Sequence, residues 1–216
     1  MVNGKLHSYI EGLIPERDPL LEEMEGYARE NHVPIMELAG IEAMLQILRI
    51  QNPKKILEVG TAIGYSALRM AAAVTTAKVV TIERDPERYQ LAEEYFERAG
   101  KAEYITLIKG DALEVEDQIR EQGPYDTIFI DAAKGQYKRF FEMYSKYLQE
   151  DGVIITDNVL FKGLVCETDI ESKRTRNLVK KIDGFNHWLM SNPGYYTVIL
   201  PVGDGVAISK KRGEMK

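Results

Sequence analysis

Three oxygen-bearing side chains close two short apolar runs. Asp131 ends Ile128-Phe129-Ile130-Asp131, and Asp157 with Asn158 ends Ile154-Ile155-Thr156-Asp157-Asn158. Two carboxylates and a carboxamide are hard oxygen donors that suit Mg²⁺ or Mn²⁺ and leave positions for water and a substrate. One Asp in such a place reads as a loop or capping residue; an Asp followed by an adjacent Asp-Asn pair at the next run end favours a metal. Lys134 stands three residues past Asp131. Beside a cation its neutral form is favoured, as a general base needs, although a lysine there also reads as simply solvated.

A second group of residues suits a nucleoside. Glu58-Val59-Gly60-Thr61-Ala62-Ile63-Gly64-Tyr65-Ser66 has the spacing E-x-G-x-x-x-G, and glycines let a backbone turn tightly against a ligand at a helix N-terminus. Glu83 ends the following apolar run, where a carboxylate can accept both ribose hydroxyls. Gly110-Asp111-Ala112 ends the next, where a carboxylate and a backbone N–H can meet adenine, or where the Asp can cap a helix. In this order the three favour an adenosyl ligand. The G-x-G-x-x-G of nicotinamide dehydrogenases is absent, and Gly64-Tyr65-Ser66-Ala67-Leu68 lacks the second glycine of a hydrolase nucleophile elbow. A non-catalytic nucleoside-binding module would leave the Asp131, Asp157, Asn158 and Lys134 set without a purpose.

The elements that must position these residues follow from the apolar pattern. Lys55–Val59, Val79–Ile82, Ile105–Ile108, Thr127–Ile130 and Val153–Ile155 are rich in Val and Ile and apolar on both parities, as strands buried on both faces of a parallel sheet are. Helical periodicity fills the intervals Ser66–Val74, Pro86–Ala99, Ala112–Gln122 and Gln136–Leu148. The alternation predicts a doubly wound α/β sheet, whose ligands bind beyond the carboxyl ends of the strands. Upstream, Asp18-Pro19 starts one helix and a second runs from about Met36 to Ile50, ended by Asn52-Pro53. Downstream, a helix around Thr175–Met190 precedes Tyr196–Leu200 and Val206–Ser209, an antiparallel hairpin about Pro201–Gly205. One domain over 1–216 is expected, with a helical segment at 1–52 and an α/β core at 53–212.

Composition sets the class. In 216 residues, 44% are hydrophobic and 29% charged, which excludes disorder, collagen and coiled coil. No apolar run approaches the roughly 18 residues of a membrane span, and Met1–His7 lacks the apolar core of a signal peptide. The single cysteine, Cys166, excludes an intramolecular disulfide, so a cytoplasmic address is expected. A net charge of −6 argues against wholesale nucleic-acid coating but not against a local basic patch. His7, His32 and His187 have no ligand spacing and read as surface or packing residues. Trp188 with Phe185 and Leu189 reads as a packing cluster.

These pieces together resemble the metal-dependent O-methyltransferases of catechol and caffeoyl-CoA type. The matching stretches are LEVGTAIGYS (57–66), Glu83, GDA (110–112), FIDAAKGQY (129–137), TDNVLFKG (156–163) and LPVGDG (200–205), in the family's order over roughly residues 34–212. The resemblance implies a class I methyltransferase, Rossmann-like fold and S-adenosylmethionine as methyl donor. It implies Asp131, Asp157 and Asn158 as ligands of Mg²⁺ or Mn²⁺ and Lys134 as the catalytic base. Gly60, Ser66, Glu83, Asp111, Ala112 and Asp131 would hold the cofactor, with Glu58 behind them and Met36 over its methionine end. Relatives are commonly dimers, so a homodimer is expected, with the apolar N-terminal helices as its interface. Plant members carry Asp-Lys where this chain has Ala133-Lys134, and Phe161 is the aromatic after the Asp-Asn pair. Both bear on the acceptor rather than on the chemistry.

The acceptor must offer two adjacent oxygens. Catechols do, and so does 5-hydroxyuracil, whose 5-hydroxyl neighbours the 4-keto oxygen. Lys173, Arg174, Arg176, Lys180 and Lys181 fall within nine residues, with Lys173, Arg176 and Lys180 on one helical face and Lys162 nearby. Such a patch grips phosphates or is an ordinary solvated face. Residues 9–36 resemble the bacterial branch that methylates 5-hydroxyuridine at the tRNA wobble position, which makes tRNA the expected partner and a small catechol the alternative.

Overall fold

The computed structural model describes residues 4–213, so Met1, Val2 and Asn3 of the leading stretch lie outside the described residues. Strands form where Val, Ile and Leu occupy both parities: β1 (Lys55–Val59), β2 (Lys78–Glu83), β3 (Ile105–Lys109), β4 (Tyr125–Ile130) and β5 (Leu148–Thr156), then β6 (Tyr195–Leu200) and β7 (Val206–Lys211). They make one sheet in the order β3-β2-β1-β4-β5-β7-β6. β1 to β5 pair in parallel, while β7 runs antiparallel to both β5 and β6. This is the doubly wound, mostly parallel sheet expected from the sequence, with its terminal antiparallel hairpin.

Alternation along each strand builds a core on either side. Ile56, Val79, Phe129 and Ile155 face one, packed with α2 (Pro19–Glu30), α3 (Leu38–Gln51), α4 (Tyr65–Ala73) and α5 (Pro86–Arg98). Leu57, Val80, Ile128 and Ile154 face the other, packed with α6 (Glu116–Gln122), α7 (Tyr137–Tyr144) and α8 (Lys173–Ser191). Each fully buried aliphatic side chain contributes roughly 1.5–3 kcal/mol, so covering both faces is what holds the strand ends in register. The described chain opens with α1 (Gly4–Gly12), which buries none of its residues. Both Asp-Pro starts cap helices: Asp18 accepts from the Leu20 N–H at 2.9 Å, and Asp85 from Glu87 and Arg88 N–H at 3.0 and 3.2 Å. No helix among the described residues is long and apolar enough to cross a membrane.

Several boundaries differ from the sequence reading, among them β5, expected over Val153–Ile155 and found over Leu148–Thr156. The helix expected from Ala112 begins at Glu116, because Asp111 closes a turn on the Leu113 N–H at 2.9 Å instead of capping. The helix expected from Met36 begins at Leu38, because Met36 is buried against Gly40 and is spent on packing. The helix expected over Gln136–Leu148 is α7 between two single 3₁₀ turns, Lys134–Gln136 and Ser145–Tyr147, and β5 already starts at Leu148. The aromatic cluster packs as expected. Trp188 stacks on Phe185 with ring centroids 6.0 Å apart and meets Phe141 edge-on at 5.2 Å.

Candidate active site

The parallel ladder continues past the strands and sets the site. Gly60 and Thr61 N–H donate to Ile82 O at 3.1 and 3.0 Å, and Gly110 N–H donates to Glu83 O at 2.9 Å. Asp131 N–H donates to Val59 O at 3.0 Å, and Asp157 N–H to Ile130 O at 3.1 Å. Each strand end is thereby tied to its neighbour, and the ends of β1 and β4 flank the point where the strand order reverses.

A cavity of about 330 Å³ opens there, lined among others by Met36, Gly60, Ser66, Glu83, Asp111 and Ala112 on one side and by Asp131, Lys134 and Asn158 on the other. Glu58 and Asp157 lie behind this wall, Glu58 wholly buried and Asp157 nearly so. Gly60 is required at its position: with φ +105, a Cβ there would sit 2.1 Å from the Asp131 carbonyl oxygen.

The Glu83 side chain is held in place by backbone donors. Its Oε2 accepts from Ala62 N–H at 2.9 Å, and its Oε1 from Arg84 and Asp85 N–H at 2.9 and 3.0 Å. Asp111 accepts from Leu113 N–H and pairs with Arg84 at 3.0 Å, and these bonds hold its carboxyl below the usual range. Behind them Glu58 receives Ser66 Oγ on one oxygen and Thr81 Oγ1, at 2.5 Å, on the other. Thr61 and Thr81 hydroxyl oxygens are 2.5 Å apart, and since Thr81 gives its one proton to Glu58, Thr61 donates to Thr81. Burial pushes the Glu58 carboxyl up to about 7 against the pull of these hydroxyls, with Asp131 and Glu83 adding charge of the same sign.

On the other side, Asn158 has φ +62, a left-handed conformation that Asn tolerates better than most residues. Its Nδ2 bridges the two acids, 2.5 Å from Asp157 Oδ2 and 3.5 Å from Asp131 Oδ1, while its Oδ1 accepts from Lys134 Nζ. Burial raises both carboxyls above the usual range; Lys134 opposes this at Asp131, and the Asp131 charge adds to it at Asp157. Asp157 Oδ1 is buried with no hydrogen-bond partner among the described residues. The crowded acids, with an unpaired carboxylate oxygen, and the Asn158 carboxamide, once its oxygen rather than its Nδ2 is turned toward them, make an oxygen-donor set that fits a divalent cation. Among the described residues no three His, Cys, Asp or Glu gather into a metal cluster, because the third donor is a carboxamide.

The loop that carries Asn158 is bolted from two sides. Val159 and Leu160 N–H donate to Gly205 and Asp204 carbonyls at 3.0 Å each, and Asn186 Nδ2 of α8 donates to Val159 O at 2.8 Å. α8 packs on both 3₁₀ turns beside the site, Lys134–Gln136 and Phe161–Cys166. The basic face differs from the spacing. Arg176 is spent on the Ile170 and Glu171 carbonyls at 3.1 Å, whereas Lys181 Nζ lies 3.5 Å from where a Gly135 Cβ would sit, next to Lys134. Lys173, Arg174 and Lys180 are exposed and form no ion pair among the described residues.

Sequence reasoning missed several contributors. Tyr65 and Arg84 line the cavity directly beside Ser66 and Glu83, and their adjacency in the chain was the available signal. Pro34 and Ile35 line it next to Met36. Asp204 is a buried third acid whose charge reaches Asp131 and Asp157, and nothing in its motif announced that.

Comparison with known proteins bears on this geometry. The profile of the O-methyltransferase family matches residues 13–212. The chain belongs to that family. A catechol O-methyltransferase from Niastella koreensis is 30% identical over 211 residues, 93% of this chain and 94% of the relative. Among solved O-methyltransferase structures, a caffeoyl-CoA O-methyltransferase candidate from Staphylococcus aureus superposes with a TM-score of 0.86 at 38% identity, covering 96% of each chain. An O-methyltransferase from Bacillus cereus in complex with SAH reaches 0.81 at 26% identity, covering 96% of this chain and 97% of the other. This O-methyltransferase therefore shares nearly its whole length with enzymes of the catechol and caffeoyl-CoA type.

Proposed function

We propose that this O-methyltransferase uses S-adenosylmethionine and a divalent cation to methylate 5-hydroxyuridine at the tRNA wobble position, giving 5-methoxyuridine. One observation carries the RNA reading: the exposed cations of α8, Lys173, Arg174 and Lys180, precede Lys181, whose Nζ lies against Gly135, the neighbour of the cavity-lining Lys134. Cations that form no ion pair among the described residues, close in the chain to a catalytic opening, suit a phosphate backbone.

The residues divide the work. Glu83, immobilised by three backbone N–H groups, offers its remaining lone pairs to ribose hydroxyls. Asp111, held by Arg84, and the backbone of Ala112 face the adenine end, and Gly60, Ser66 and Met36 enclose the methionine end, with Glu58 fixing Ser66 from behind. S-adenosylmethionine supplies an electrophilic methyl on its sulfonium; the SAH held by the Bacillus cereus relative supports that choice. Asp131, Asp157 and Asn158 would hold Mg²⁺ or Mn²⁺, which as a Lewis acid lowers the pKa of a hydroxyl beside a second oxygen. Lys134, already bonded to Asn158, takes that hydroxyl proton, and the cavity walls hold acceptor and donor in near-attack geometry.

A small catechol-like acceptor is the second reading, favoured by the names of the relatives, among them the flavonoid 3',5'-methyltransferase of Vitis vinifera. Radiolabelled methyl transfer separates the two, with 5-hydroxyuridine-containing tRNA and a simple catechol in parallel, each with Mg²⁺ or EDTA. Metal-dependent label in tRNA far above catechol supports the RNA reading; label in catechol alone removes it. Asp131→Ala should abolish transfer, and activity surviving it with and without metal would sink the metal mechanism. A second copy of the chain is the expected protein partner, with Leu6, Tyr9, Ile10 and Leu13 in and just after α1 as exposed apolar residues, and sedimentation checks it.

A further inference from the structure

The loop that begins at Asn158 passes through three consecutive left-handed residues, Phe161, Lys162 and Gly163, with φ of 46, 55 and 79. That backbone is unfavourable for residues with side chains such as Phe and Lys, and it persists only where the surroundings over-determine it. Gly163 N–H closes the turn on Leu160 O at 2.9 Å, but the Lys162 N–H goes elsewhere. It donates to Oδ1 of Asp204, which lies in the turn between β6 and β7 and is 8% exposed. The Asp204 carbonyl in turn accepts from Leu160 N–H at 3.0 Å. One residue thus holds the loop on both sides of Phe161.

An Asp before Gly in a hairpin ordinarily serves its own turn, its side chain bonding backbone two residues on. Here the side chain reaches a residue 42 positions earlier in the chain. Burying a carboxylate is unfavourable unless it is hydrogen-bonded, so a turn alone gives no reason for this one. Its base is firm. A Cβ on Gly203, with φ +53, would sit 3.2 Å from Gly40 Cα of α3, and one on Gly205, with φ +91, would sit 2.7 Å from Leu160 N. The hairpin turn is therefore wedged between α3 and the loop. On the far side of the loop Lys134 Nζ lies over the Phe161 ring, 5.9 Å from its centroid.

We propose that Asp204 is a positioning residue: by accepting the Lys162 N–H its carboxylate fixes the loop from Asn158 to Gly163, and so aims Asn158 at the cation and holds Phe161 against Lys134. Asp204 is not one of the residues that line the cavity, so it acts through the loop. The inference rests on the metal reading above. Groups that orient a metal's ligands are worth roughly 10- to 100-fold in metal affinity.

The test compares Asp204→Ala, which removes the acceptor, with Asp204→Asn, which keeps an oxygen for the Lys162 N–H and removes only the charge. Mn²⁺ titration followed by electron paramagnetic resonance should show affinity falling at least about tenfold in Asp204→Ala and mostly restored in Asp204→Asn. Calorimetric titration with S-adenosylhomocysteine should give the wild-type affinity in both. Equal Mn²⁺ losses in the two variants would assign the effect to charge and overturn the proposal. So would parallel losses of Mn²⁺ and S-adenosylhomocysteine in Asp204→Ala, the mark of a general structural role, or an unchanged Mn²⁺ affinity. Amide exchange followed by NMR reads the bond in the wild type, even if Asp204→Ala does not fold. The Lys162 amide should exchange at least about tenfold more slowly than a free amide, and free-amide exchange would overturn the clamp. Absence of Mn²⁺ binding by the wild type would remove the metal reading and with it the positioning role, while the exchange rate still reports whether Asp204 holds the loop.

Discussion

The Tyr65 hydroxyl donates to Glu25 Oε1 at 2.6 Å and accepts from Arg69 Nη1 at 2.8 Å. Arg17 grips the same Glu25 through two bonds of 2.9 and 2.8 Å, and Arg69 reaches on to Glu42. This chain locks the helical N-terminal segment onto the first residue of α4, adjacent to Ser66 and in the cavity wall. Tyr65→Phe keeps the ring and removes both bonds. Hydrogen bonds to charged groups are worth about 1.5–3 kcal/mol each, so a lower thermal midpoint is expected, together with a several-fold weaker binding of S-adenosylhomocysteine. Calorimetric titration checks it; unchanged affinity would mean that the lock does not shape the cavity.

Gly60→Ala places a Cβ against the Asp131 carbonyl, a backbone atom that cannot swing aside, at a φ unfavourable for any L side chain. Urea unfolding should show a loss of about 2 kcal/mol or more, and cofactor binding should fall at least about tenfold. Wild-type values in both would show that the turn relaxes freely.

Glu58 makes stability depend on pH with a definite sign. Its folded pKa of about 7 lies above the ordinary value of 4.5, so between these values the folded state keeps a proton that the unfolded state has lost. Stability therefore falls as pH rises through that window and levels off above it. Glu58→Gln should flatten this part of the curve between about pH 5 and pH 7.5, measured by urea unfolding at four or five pH values. Parallel curves for the two proteins would show that Glu58 enters the fold ionised.

Reversing charge at Lys173 and Lys180 tests the basic face. The double change to Glu should weaken tRNA binding by about tenfold or more and reduce the slope of log affinity against log salt by roughly one or more. Filter binding across a salt series measures both. An unchanged slope would leave these lysines as a solvated face.

Much of this protein was legible in its residues. Ile56 and Leu57 are both apolar because successive strand residues face opposite cores, so a run without alternation announced a sheet covered on both sides. Asp18-Pro19 and Asp85-Pro86 marked helix starts because the carboxylate and the ring act within one turn. Asp131, Asp157 and Asn158 were findable because a parallel sheet brings successive strand ends to one edge.

Helix boundaries at Leu38 and Glu116 were less legible, since Met36 and Asp111 are engaged by neighbours that propensity does not see. The sequence by itself determined which residue types stand at the strand ends and which segments cross the sheet, because both follow from local periodicity and short-range turn chemistry. Only the tertiary structure decided that Tyr65 joins Glu25, that Asp204 adds its charge to the two acids, and that Lys181 rather than Arg176 lies against Gly135, next to Lys134. Each of these depends on where a side chain lies relative to elements distant in the chain, and burial and electrostatics take their values only once those elements have packed.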